Sequence, residues 1–73
     1  MPPIPILCPR EVIYAFEKLG WQVVRQKGSH IIMTKTGSIS TLSIPNHSEV
    51  ARGTLRDLIN RSGESMDEFS RHI

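Results

Sequence analysis

Apolar and polar residues follow two different periods along this chain, and each change of period marks an element. Val12, Phe16 and Leu19 recur at the spacing of one helix face. Pro9 suits a first helical turn, Glu11 complements the positive N-terminal end of a helix, and Gly20 supplies the stop. The period then shortens. "WQVVRQ", residues 21–26, is rich in β-formers and predicts a strand, residues 27–29 a tight turn, and residues 30–34 a second strand. "KTG" predicts another hairpin turn before a third strand over residues 39–44, in which Leu42 and Ile44 share a face, and Pro45 is expected to end the sheet. After a loop, "NHSEVAR", Thr54 is expected to cap a second helix whose face carries Leu55, Leu58 and Ile59 and which Gly63 closes. "SMDE", from Ser65 to Glu68, fits a capping box and predicts a short terminal helix holding Met66 and Phe69.

Three consecutive strands joined by short turns make an antiparallel meander, and two amphipathic helices of this length can cover one face of it. The expected fold is therefore α+β, in the order α-β-β-β-α, with the helices packed on one face of a three-stranded antiparallel sheet and the other face open. Alternation sets Ile31 and Met33 on one side of the second strand and His30, Ile32 and Thr34 on the other. Both sides are partly apolar, so alternation alone does not decide which is buried. We expect Ile31 and Met33 inside, which leaves His30 at the start of an open strand, beside Gly28 and near Arg25 and Lys27.

At 73 residues the chain is expected to form a single domain, close to the lower size for one unaided hydrophobic core, with residues 1–8 as an extended N-terminal arm. The N-terminal stretch "MPPIPILCPR" lacks the basic start of a signal peptide, and no window approaches the roughly 20 apolar residues of a membrane span. No membrane association and a cytoplasmic location are the expectation. Cys8 is the lone cysteine, so no internal disulfide is possible, and no Cys/His spacing of zinc-finger type occurs. A metal site from Cys8, His30 and His47 matches no common spacing either, and neither metal nor cofactor is expected. Charge changes the picture more. Residues 18–48 hold Lys18, Arg25, Lys27 and Lys35 with no Asp or Glu. Such a block favours a polyanionic partner such as RNA, although a solvated basic surface explains it as well.

Three elements of the chain, Gly28-Ser29-His30, Pro45-Asn46-His47 and Gly53-Thr54-Leu55, come in this order within "GWQVVRQKGSHIIM", "LSIPNH" and "GTLRDLINRSGESMDEF". In these the chain resembles the HicA family of toxins from toxin-antitoxin systems, from about Glu11 to Phe69. The resemblance implies a fold like that of double-stranded-RNA-binding domains and an mRNA-cleaving activity in which His30 is the catalytic residue. It also implies an antitoxin partner of HicB type, which blocks the toxin and supplies whatever DNA contact the complex makes.

The chemistry is self-consistent. RNA carries its own nucleophile, the 2′-hydroxyl, so cleavage needs proton transfer, alignment and stabilisation of charge on the phosphate. Imidazole moves protons in either direction near neutral pH, and Arg25 and Lys27 are positioned to hold phosphate. Gly28 allows close backbone approach. Ser29 either shapes the turn or contacts phosphate. His47 is open to loop capping, RNA contact or assistance in catalysis, Gly53 and Thr54 to capping or phosphate binding through helix amides. Trp21 is expected in the core and His72 in solvent. Two function classes remain: a metal-independent endoribonuclease with His30 as general acid or base, and a non-catalytic RNA-binding module on the same frame.

Overall fold

The computed structural model describes residues 6–73. Residues 1–5 of the expected arm lie outside them. Helix α1 spans Pro9–Lys18, strands β1, β2 and β3 span Trp21–Lys27, His30–Lys35 and Thr41–Pro45, and helices α2 and α3 span Arg52–Ser62 and Met66–Ser70. The sheet is antiparallel in the order β1-β2-β3, so β2 is central. This is the expected α+β frame, and α3 is the short terminal helix expected after Ser65.

Local chemistry fixes the helix ends. Pro9 opens α1, and the backbone N–H of Cys8 donates to the Glu11 carboxylate at 3.0 Å, which satisfies a donor that the helix cannot. That same bond holds the Glu11 carboxyl below its ordinary pKa, with nearby Arg10 adding to the effect. Gly63 ends α2 at φ 79°, a left-handed conformation that glycine adopts without steric cost. Ser65 Oγ accepts the Glu68 N–H at 3.1 Å, half of the anticipated capping box. Helix α2 departs from expectation. Its N-cap is Ala51, not Thr54, which lies within the first turn. The cause is upstream: the Val50 N–H is committed to Leu7 O at 2.7 Å, and the Leu55 N–H already bonds Ala51 O at 2.9 Å, so the helix starts as soon as this bridge is made.

Strand β3 also begins later than its sequence suggests. Ile39 is fully exposed, and residues 36–40 form the connection, closed by Ser38 N–H donating to Lys35 O and by Ser40 N–H donating to Ser38 Oγ. Pro45 ends the sheet as expected, as the last residue of β3, opposite His30. A residue without an N–H is tolerated there because β3 is an edge strand.

The core lies between the helices and one face of the sheet. Trp21, Met33, Leu42 and Ile44 meet Val12, Ala15 and Phe16 of α1, Leu55 and Ile59 of α2, and Phe69 of α3, all essentially inaccessible, with Ile31 packed against them. Ile31 and Met33 therefore face inward as expected. Phe16 sits at the centre, edge-on to Trp21 at 6.3 Å between centroids and tilted against Phe69 at 5.0 Å. Lys35 Nζ pairs with Glu64 at 2.9 Å, tying the end of β2 to the α2–α3 connection.

Candidate functional site

The β1–β2 hairpin turns through Gly28 and Ser29, with Lys27 and His30 as the closing pair. Gly28 has φ 60° and no non-glycine residue has a positive φ among the described residues, so the turn is of type II′, which asks for glycine at its first central position. A Cβ at Gly28 would touch nothing within 4 Å, so the demand is on backbone angle and not on space. Gln26 Nε2 donates to Gly28 O at 3.2 Å and braces the turn. Ser29 is exposed and offers its carbonyl to the Asn46 N–H at 2.7 Å. Two of the three sequence elements, Gly28-Ser29-His30 and Pro45-Asn46-His47, are thus joined by backbone.

Cross-strand register sorts the side chains. Directly opposite residues in an antiparallel pair point to the same face, with Cβ atoms roughly 4.5–5.5 Å apart. Lys27, His30 and Pro45 form one row of the helix-free face, Arg25, Ile32 and Ser43 the next. Val24 is the residue that makes this arrangement. Val23 pairs with Met33 and Arg25 with Ile32, so Val24 is an extra residue in β1, a β-bulge. Without it, unbroken alternation from buried Trp21 would carry Arg25 and Lys27 to the core side; the bulge moves both beside His30.

The basic block of the sequence separates accordingly. Lys18 lies on α1 with its ammonium over the Tyr14 ring, 5.3 Å from the centroid, and Lys35 is engaged by Glu64. Arg25 and Lys27 are exposed, and no ion-pair partner for either occurs among the described residues. His30 is exposed between Lys27 and Pro45. His47 is exposed in the loop just beyond Pro45, and His72, expected in solvent, is half-buried behind α3. Trp21 is core, as expected.

A further feature lies beside this face, at the junction of β3 and α2. Ser43 of β3 and Thr54, Asp57, Leu58 and Arg61 of α2 line a cavity of about 170 Å³. The spacing of Thr54, Asp57, Leu58 and Arg61 along one helix face is the signal that could have found it. No cluster of three or more His, Cys, Asp or Glu side chains able to hold a metal ion occurs among the described residues, and no helix there is long and apolar enough to cross a membrane.

A family model described as the HicA toxin of bacterial toxin-antitoxin systems matches residues 9–63, which takes in α1, the whole sheet and α2. The chain belongs to the HicA toxin family. A search of curated proteins gives no match. HicA membership makes the chain the toxin member of a toxin-antitoxin pair. All three sequence elements fall inside the matched span, and α3 lies beyond it.

Proposed function

We propose that this HicA-family toxin is a metal-independent endoribonuclease that cleaves mRNA, with His30 as general acid or base. The observation that carries the reading is an exposed imidazole on the helix-free face of the sheet, paired across the strand with Lys27 and one row from Arg25. RNA lies across this face. Arg25 and Lys27 hold its phosphates, the Gly28-Ser29 turn lets the backbone come close, and His47 borders the same edge. The 2′-oxygen attacks the adjacent phosphorus as its proton leaves, the bond from phosphorus to the 5′-oxygen breaks, and that oxygen takes up a proton. His30 supplies one of the two transfers. The products are a 2′,3′-cyclic phosphate and a 5′-hydroxyl.

Cleavage of a single-stranded RNA should therefore persist in excess EDTA and leave cyclic phosphate ends. Activity that chelation removes and magnesium restores overturns the mechanism. RNA bound but left intact by the purified chain favours the non-catalytic RNA-binding module instead.

Docking through two cations has its own signature, because each neutralised phosphate releases counterions. Affinity for RNA should fall as salt rises, and Lys27→Ala should flatten the log–log slope by about one contact, with Arg25→Ala doing the same. An affinity that does not change with salt rules this face out as the electrostatic docking surface.

The resemblance to the family also supports an antitoxin of HicB type as partner. A cover for a face bearing Arg25, Lys27 and His30 needs acidic complementarity, and any DNA contact belongs to that complex. An mRNA substrate fits a cytoplasmic site of action.

A further inference from the structure

The cavity lies between α2 and the edge strand β3, and Ser43 connects it to the strand that also carries Pro45, the cross-strand partner of His30. Ser43 is two residues before Pro45, which pairs with His30, so Ser43 and His30 are diagonal neighbours, roughly 7–8 Å apart. At about 170 Å³ the space is well below that of a drug-sized pocket and of the order of a single nucleotide component. Its chemistry is mixed. Leu58 is nearly buried and provides an apolar wall, Ser43 and Thr54 bring hydroxyls, Asp57 a carboxylate and Arg61 a guanidinium. Asp57 and Arg61 are four residues apart on one helix, a spacing at which an ion pair can form. Here they do not pair, and no described residue gives the side chains of Ser43, Thr54, Asp57 or Arg61 a hydrogen-bond or ion-pair partner. Asp57 and Arg61 are exposed, so these donors and acceptors are accessible to a ligand that displaces water.

We infer that this cavity is a nucleobase subsite that reads the base next to the cleaved bond and favours guanine. The inference rests on the endoribonuclease reading above. A carboxylate in the lining repels a phosphate, which directs a base and not the backbone into the space, with Leu58 against its flat face. Single-stranded RNA is recognised in this way, through stacking and the Watson–Crick edge. Guanine alone presents two adjacent donors on that edge, N1–H and the 2-amino group, and these match the two oxygens of Asp57. Its O6 acceptor matches Arg61. Uracil has no amino group for Asp57, and adenine and cytosine each offer it a single amino group.

The test uses the full chain in two measurements. First, cleavage rates are compared on RNAs that differ at one nucleotide, carrying guanine, inosine, adenine, cytosine or uracil, with the wild type and with Asp57→Asn and Arg61→Gln. Guanine should be preferred over adenine, cytosine and uracil by about 5- to 150-fold, the range of a good bidentate base contact, with inosine, which lacks only the 2-amino group, in between, and Asp57→Asn should abolish the preference for guanine over inosine while inosine RNA is still cut. Second, amide NMR shifts are followed as guanosine, adenosine, cytidine and uridine 5′-monophosphates are added at millimolar concentration. The guanosine nucleotide should shift residues 54–61 more than the others do. Equal cleavage of all RNAs, or shifts confined to residues 27–30 with every nucleotide, overturns the subsite and leaves the endoribonuclease standing. Guanosine-selective shifts at residues 54–61 with no cleavage of any RNA do the reverse.

Discussion

Replacing His30 by alanine should leave a folded, RNA-binding protein that no longer cuts. The imidazole is exposed on the helix-free face and adds nothing to the core, so the change in stability should stay within about ±0.5 kcal/mol, as at other surface positions. Arg25, Lys27 and the Gly28-Ser29 turn remain, so binding should largely persist. Loss of a general acid or base typically lowers the rate by about 10²- to 10⁴-fold, enough to abolish growth arrest in cells expressing the chain. Melting, binding and cleavage belong on one preparation, with His47→Ala alongside. Wild-type cleavage by His30→Ala would sink the assignment. Loss of cleavage only in His47→Ala would transfer the role to the loop, and a collapse in melting temperature would make His30 structural.

The second large effect is on the fold. Phe16 is inaccessible and is the one ring in contact with both Trp21 and Phe69, so it joins α1, β1 and α3. Phe16→Ala should cost about 3–5 kcal/mol, from lost transfer energy and the cavity left behind. A chain of 73 residues has a total stability of roughly 4–11 kcal/mol at the usual value per residue. The variant should lose a large part of that margin and melt at a clearly lower temperature than the wild type. Ile39→Ala is the control: it removes a side chain of similar hydrophobicity that is fully exposed, and should change stability by no more than about 0.5 kcal/mol. Denaturant unfolding of both variants checks the pair, and equal losses would mean that the aromatic cluster is not the keystone of the core.

The order of elements is legible in the sequence because its punctuation is local. Gly20 and Gly63 stop helices, the Ser65–Glu68 spacing starts one, and Gly28 bends the first hairpin, each by chemistry that needs no distant partner. Strand faces are less legible. The second strand is apolar on both sides, and what settles the matter is that Ile31 and Met33 lie opposite Ile44 and Leu42 of β3. The bulge is harder still. Nothing in Val23-Val24, neither glycine nor proline, marks an extra residue, yet it decides that Arg25 and Lys27 accompany His30. Net charge misleads in a related way: the acid-free block looks uniform until Glu64, distant in sequence, takes up Lys35. The cavity on α2 is carried by helical spacing, but only the packing of α2 against β3 says which face of that helix matters.

Two backbone hydrogen bonds of equal length bracket the loop that carries His47. Asn46 N–H is held by Ser29 and Val50 N–H by Leu7, each at 2.7 Å, which leaves only His47, Ser48 and Glu49 between fixed points. Ordering a loop residue costs roughly 1–2 kcal/mol in backbone entropy, and for the flanking positions folding has already met that cost. The second clamp comes from the chain before α1, so the segment preceding the first helix limits how far His47 can travel relative to His30. The freedom of this histidine is thus governed from the opposite end of the sequence, where neither charge nor catalysis would direct attention.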